Sequence, residues 1–329
     1  EDCIRGTIEN SLNLNYPKER IEIIVASDCS TDETNGIVKQ YKDRGVILCE
    51  QTERLGKTSA QFSAVRLSKG DILVFSDAST IYARDAIHKL VQGFYDSSVG
   101  CVGGRIIFSS KEEGRSSKDH GLVDIEQRIR DAESRIYSTI AVSGCIYAVR
   151  KSSYREIDYR IADDFGIPID IAMRGYRVVF EPEAVAYEDI ERHDINVGRN
   201  IRTINQGWVA LSLLDLKKYI QNDKVRFGYL LGILFSHKIL RWLSFIPLVF
   251  VLVSSAVLAI RTRKVFYLFS LMSQVFFYVN ALIGALSRFN GLTFRLPYRF
   301  CLYHYAAMIS LYQFCRGKKI VVWDSKREH

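Results

Sequence analysis

The 329-residue sequence contains no CxxC pair and no HExxH. Its seven cysteines are odd in number and scattered, so neither a disulfide framework nor a zinc ribbon fits them. They read as small apolar core residues in a reducing compartment. The six histidines lack metal-ligand spacing, which argues against a zinc site. No internal repeat or low-complexity tract is present. The chain opens on "EDCIRGTIEN" with neither an initiator Met nor a signal peptide. The formal net charge of +8 suits anionic headgroups or a diphosphate, but it is spread too thinly for nucleic acid.

Acidic residues are scarce after about Lys224. "WLSFIPLVFVLVSSAVLAI" (Trp242 to Ile260) and "VFYLFSLMSQVFFYVNALIGAL" (Val265 to Leu286) carry no charge. Each is long enough to cross a hydrocarbon core of roughly 30 Å at about 1.5 Å per residue. "LPYRFCLYHYAAMISLYQFC" (Leu296 to Cys315) is a weaker third candidate, because Arg299 and His304 interrupt it. The competing reading of each is a buried helix of a large soluble protein. Lys224 to Leu243 is basic and aromatic-apolar, as a helix at a membrane interface would be. With the N-terminal region in the cytosol, "RTRK" (Arg261 to Lys264) would fall outside after one span, against the positive-inside tendency; a re-entrant first segment would change that count.

Before Lys224, apolar runs alternate with helical stretches. "IEIIVASD", "VILCEQ", "DILVFSDA" and "GCVGGRIIF" predict four strands. Helices are predicted between them, and an amphipathic helix over Asp119 to Tyr137 presents Leu122, Ile125, Ile129, Ala132 and Ile136 on one face. "VSGCIYAVR" reads as a strand after a glycine turn. "IADDFGIPIDIAMRGYRVVFEPEAVAYE" reads as an acid pair, a short helix with Pro168 near its first turn, a Gly175 stop and a strand pair. The expectation is an α/β layer with a mostly parallel sheet, whose ligands bind beyond the carboxyl ends of strands. "IRGTIENSL" at the start is helical, with Ile4, Ile8 and Leu12 in step. A strand is expected to precede it, outside this sequence.

Two acids stand at strand ends. Asp28 could accept hydrogen bonds from a base or ribose, or cap a turn. Asp77 ends an apolar run and could ligate a cation, but the position two residues on, where a second acid is usual, holds Ser79. Gly56-Lys57 opens a helix and could approach a phosphate, or could be an exposed loop lysine. Asp163-Asp164 opens another helix. Paired carboxylates can raise one pKa and create a general base, and acids at a helix start also favour the dipole. Arg199 and Arg202 share a helix face, suited to a diphosphate or to lipid headgroups.

The order of these features resembles the membrane-bound family-two inverting glycosyltransferases, which include hyaluronan, chitin and cellulose synthases. The pieces that carry the resemblance are "NYPKERIEIIVASDCSTDET", "RLGKTSAQFSA", "GDILVFSDAST", "VSGCIYAVR", "IADDFGIPIDIAMRGYRVVFEPEA" and "RNIRTINQGW". The resemblance implies a GT-A fold, a Rossmann-like mixed sheet with helices on both faces, over residues 1–190 and lacking its first strand. Interfacial helices would follow over 191–241 and a transmembrane region over 242–329. It further implies a UDP-sugar as the nucleotide-sugar donor, Mg²⁺ or Mn²⁺, and a polysaccharide or glycan acceptor at the cytoplasmic face of an integral, multi-pass membrane protein.

By the same resemblance Asp28 would contact the uridine and Lys57 the nucleotide or its phosphates. Asp77, with Ser79 in the second place, would hold the cation. Ser143 and Gly144 would line the acceptor or donor-sugar side. Asp164 would be the base, with Asp163 beside it, and Arg199, Arg202 and Trp208 would close over the diphosphate. The processive synthases read Gln-x-x-Arg-Trp where this chain has Arg199-Asn-Ile-Arg202-Thr203. That departure weakens processive synthesis more than sugar transfer and leaves transfer of a single sugar to a lipid-linked acceptor as an alternative; Ser79 and the missing first strand keep open a second, a non-catalytic membrane protein that retains the fold.

Overall fold

The computed structural model describes residues 1–109, 121–189, 197–214, 224–286 and 291–320. The chain divides into two compact units, Glu1–Asp194 with Ala210–Ile233 and Ile320–His329, and Ile195–Val209 with Leu234–Lys319.

In the first unit α1 (Ile4–Leu12) and α2 (Thr34–Lys39) pack with a parallel pair, β1 (Ile23–Ser27) and β2 (Val46–Glu50). The expected i, i+4 stripe of α1 is used: Ile4 and Ile8 are buried with Val38, Tyr41 and Val46 in one small core. A second sheet has the order β3 (Ile72–Ser76), β6 (Ile146–Arg150), β5 (Val99–Ser109), β7 (Arg177–Asp189), β4 (Ile81–Tyr82). Among the described residues no strand joins β1 to β3, so the expected single layer is two sheets. The larger sheet is mixed rather than mostly parallel. Only β5 and β7 run parallel in it; β3–β6, β5–β6 and β4–β7 are antiparallel. The physical reason is β6, whose connection through Ser143 returns it alongside β3 in the reverse direction.

The predicted strand pair at "YRVVFEPEAVAYE" is one 13-residue strand, β7. Its pairing jumps from Gly104↔Glu181 to Arg105↔Val185. This bulge takes up Pro182, which has no N–H to give a ladder, so the chain continues without turning back. Helix α4 (Ala86–Gln92) seats Ala86, Ile87 and Leu90 on the core formed by Val99, Val102, Ile146, Ala148, Ala184 and Ala186. Helix α3 (Lys57–Leu67) follows β2, and α5 (Gly121–Ile136) and α6 (Asp163–Met173) flank β6 in sequence. The expected start of α5 at Asp119 lies outside the described residues. Helix α8 (Lys224–Ile233) stays in this unit, where Arg226 donates to the Gly175 carbonyl at 2.7 Å.

The second unit contains most of α7 (Val197–Leu213), a π-helical turn (Leu234–Ile239), α9 (Leu240–Leu243), α10 (Phe245–Thr262), α11 (Val265–Leu286) and α12 (Leu292–Cys315). Among the described residues two helices, α10 and α11, are long and apolar enough to cross a membrane. In each only 11% of the most apolar stretch is buried. Phe250, Ile260, Phe266 and Phe269 are all exposed. A polar contact sits on the inner side: Gln274 of α11 donates to Ser255 of α10 at 3.1 Å. The third candidate span is helical, as α12, and is long enough at 24 residues, but Arg295, Arg299 and His304 lower its hydropathy and it does not meet the composition of the other two.

Candidate active site

The site grows from the carboxyl end of β3. Asp77 follows the strand directly, and Phe75 stacks on its cross-strand partner Tyr147 with ring centroids 4.7 Å apart. That stack fixes β3 against β6 and carries the Tyr147 hydroxyl toward α6. Tyr82 ties the same region from the other side, donating to the carbonyls of Phe75 at 2.9 Å and Cys145 at 3.2 Å.

Helix α3 brings Lys57. Its start is shaped by Asp28, whose Oδ1 and Oδ2 accept the backbone N–H groups of Leu55 and Gly56, both at 2.9 Å. Gly56 has φ +97°, a conformation that glycine adopts at low cost. Asp28 therefore organises the turn that presents Lys57. The ammonium of Lys57 reaches Asp77 Oδ1 at 2.6 Å and Asp163 Oδ1 at 3.5 Å, and donates to the Gly144 carbonyl at 3.3 Å. Burial by itself would lower the Lys57 pKa; the charges of Asp163, Asp77 and Asp164 outweigh it and hold the group well above the ordinary lysine range.

The two acids of α6 are not equivalent. Asp163 is buried, and its Oδ2 accepts the Tyr147 hydroxyl at 2.8 Å and the Gln61 amide at 3.1 Å. Asp164 is only partly buried. Its Oδ2 lies 3.4 Å from where a side chain on Gly144 would begin, and Lys57 Nζ lies 3.1 Å from the same point. Gly144 is thus the gap across which Lys57 and Asp164 face each other. Pro168 sits inside α6, not in its first turn as expected. Proline has no N–H for the carbonyl four residues back, which is that of Asp164. The Val142 N–H takes the place, donating to Asp164 O at 2.9 Å. The proline thereby fastens the strand turn Val142–Gly144 to the backbone of the acid pair.

Ser143 is buried at this turn, bridging to Ile146. Ser79 lies at the turn after Asp77, and its hydroxyl points to Glu188 Oε1 at 3.5 Å. Thus Asp28, Lys57, Asp77, Ser79, Ser143, Gly144, Asp163 and Asp164 all fall in the first unit. Lys57, Asp77, Gly144 and the acid pair are drawn together there. Arg199, Arg202 and Trp208 are on α7 in the second unit, where the Trp208 ring packs on Trp242 and Phe314 at 5.1 and 6.3 Å between centroids.

Sequence reasoning missed Gln61, Cys145, Tyr147 and Glu188. Gln61 and Tyr147 read as ordinary helix and strand residues, and Glu188 is 111 positions after Asp77 by their numbers in the chain. Cys145 donates its S–H to Asp77 Oδ2 at 3.4 Å. Burial, reinforced by Asp77 and Glu188, pushes its thiol well above the usual range, so it is a neutral donor. The oxygen donors of Asp77, Ser79 and Glu188 suit a hard divalent cation.

Residues 1–158 match the family model described as Glycosyl transferase family 2. The Bacillus subtilis protein named "Probable glycosyltransferase YdaM" is 28% identical over 200 residues, covering 57% of this chain and 48% of that protein. The poly-beta-1,6-N-acetyl-D-glucosamine synthase of Staphylococcus aureus is 26% identical over 197 residues, covering 56% of this chain and 46% of the synthase. The chain spans about half the length of the curated relatives it matches. Among solved structures, a mannosyltransferase from Pyrobaculum calidifontis in complex with GDP-Man and Mn²⁺ superposes with a TM-score of 0.69 at 22% identity, covering 96% of this chain and 84% of its own.

Proposed function

We propose that this chain, which has the GT-A fold and is similar over residues 1–158 to glycosyltransferase family 2, is a glycosyltransferase with an inverting mechanism, a UDP-sugar donor and a glycan acceptor. The observation that carries the reading is the placement of Asp164, partly exposed and across Gly144 from Lys57, while its neighbour Asp163 is consumed by Tyr147 and Gln61.

In this reading Asp164 accepts the proton of the acceptor hydroxyl as that oxygen attacks the anomeric carbon. The bond from that carbon to the diphosphate oxygen breaks on the opposite face, so the configuration inverts. One carboxylate is enough for a single displacement, and a general base of this kind contributes about 10²–10⁴-fold. Asp163 stays hydrogen-bonded within the fold and positions α6. Lys57 balances Asp77 and the acid pair before substrate arrives. Asp77 would hold Mg²⁺ or Mn²⁺, with Ser79 as an oxygen donor at the next turn; when bound, such a cation neutralises the departing diphosphate. Asp28 lends shape to the nucleotide side through Leu55 and Gly56. The two exposed apolar helices support a membrane location, and a cytoplasmic side for the transferase unit is part of the same proposal.

The test is a panel of UDP- and GDP-sugars with the protein in membranes, reading nucleotide diphosphate release and product length. Release from one UDP-sugar with β-to-α or α-to-β inversion in the product is expected. Retention of configuration, or no release from any donor, would refute the reading.

A further inference from the structure

We propose that Glu188 is the second protein carboxylate of the cation site that Asp77 begins, in the place that Ser79 leaves without an acid. This rests on the reading above that Asp77 is a cation ligand, and it extends that reading to a residue far away in sequence.

The turn after β3 and the end of β7 are held side by side, with Ile81 paired to Tyr187. The next residue, Glu188, is 3% exposed. The hydroxyls of Ser79 and Thr80 both donate to its Oε1. Ser79 is thus not an isolated substitute for an acid. It and its neighbour aim an acid from another strand. Asp77, Cys145 and Glu188 each offer a ligand atom, and these atoms lie within 4.8 Å of one another. Two metal–oxygen bonds of roughly 2.1–2.4 Å span about 4.2–4.8 Å, so one cation can bridge such carboxylates.

The charges agree with this assignment. Two carboxylates this close, one of them buried, repel each other and lose hydration. Lys57 pairs with Oδ1 of Asp77, whereas Oδ2 accepts the Cys145 thiol. Asp77 therefore offers one oxygen to the lysine and turns the other toward the side where Cys145 and Glu188 gather. A divalent cation there would offset both acids and leave its remaining positions to water and phosphate oxygens. Cys145 borders the site as a donor that orients Asp77.

The test is Mn²⁺ binding to the full chain in detergent, followed by electron paramagnetic resonance of free Mn²⁺ and by calorimetry, with and without UDP. Glu188→Gln keeps an oxygen for the Ser79 and Thr80 hydroxyls and is expected to weaken Mn²⁺ binding by about tenfold or more. Glu188→Asp should fall between that variant and wild type. Near-ultraviolet circular dichroism checks that each variant is folded. Should Glu188→Gln fail that check, Thr80→Val, which leaves both carboxylates, is expected to weaken Mn²⁺ binding by about threefold or more through loss of orientation. Wild-type affinity in a folded Glu188→Gln, or in Thr80→Val where that is the variant used, overturns the proposal, as does a wild-type chain that binds no Mn²⁺ with UDP present. The two readings fail separately. Mn²⁺ binding that depends on Glu188 in a chain that turns over no sugar donor leaves this inference standing and removes the transferase mechanism. Normal turnover with Mn²⁺ binding indifferent to Glu188 does the reverse.

Discussion

The Tyr147 hydroxyl donates to Asp163 Oδ2 at 2.8 Å, from the middle of the sheet into the first turn of α6. This bond separates two acids that are adjacent in sequence. Asp163 is fixed inside, and Asp164 is left at the edge of the site. Burial, together with Asp163, raises the Tyr147 pKa well above its ordinary value, so the phenol remains a donor throughout the working range.

Replacing Tyr147 by Phe removes that donor and leaves Asp163 with the Gln61 amide and the Lys57 charge. A stability loss of about 1–3 kcal/mol is expected, the cost of leaving a buried charged acceptor short of one partner. Chemical denaturation would measure it. A midpoint equal to wild type would show that the bond does not hold α6.

Asp164→Asn is expected to lower turnover by about 10²–10⁴-fold while nucleotide binding measured by calorimetry changes little. Asp163→Asn should instead lower both folding stability and turnover, because Asp163 is tied into the core. Wild-type turnover in Asp164→Asn would sink the base assignment.

Lys57→Met removes the cation among Asp77, Asp163 and Asp164. The folded-state pKa of Lys57 is raised, so its stabilising contribution is complete below the ordinary lysine pKa and is lost as pH climbs through the higher folded value. Because the side chain is 43% exposed, solvent screens the pair and the difference at neutral pH is set at roughly 1–2 kcal/mol. Urea midpoints of wild type and Lys57→Met should be well apart at pH 8 and converge in strong alkali. A constant gap across that range would contradict the ion-pair account.

Gly144→Ala places a methyl carbon 3.1 Å from Lys57 Nζ and 3.4 Å from Asp164 Oδ2. The lysine end can shift, so folding should change by less than about 1 kcal/mol. Turnover should fall at least about tenfold, because the methyl fills the gap between the two groups. Thermal unfolding and initial rates on the same preparation separate these effects, and unchanged rates would mean that the gap is not where the sugar transfer occurs.

Much of the frame was legible in the sequence. The i, i+4 isoleucines of α1, the acid at the end of β3, the Gly-Lys start of α3 and the acid pair opening α6 each depend on local spacing, and spacing is what a sequence displays. Apolar length likewise marked α10 and α11. The third candidate span was less secure because its charges, Arg299 and His304, are local facts too. Local pattern misled at β7, where the expected strand pair is one strand whose bulge absorbs Pro182, and at α6, where Pro168 sits inside the helix.

What the sequence by itself determined was which residues can form strands, helices and strand-end acids. Those follow from backbone sterics and from the period of apolar residues. Tertiary structure alone decided which of two adjacent aspartates is buried, because that depends on Tyr147 and Gln61 arriving from other elements. It also decided that Glu188 stands beside Asp77. Their proximity comes from the β4–β7 pairing, and strand pairing joins residues with no regard to their separation along the chain.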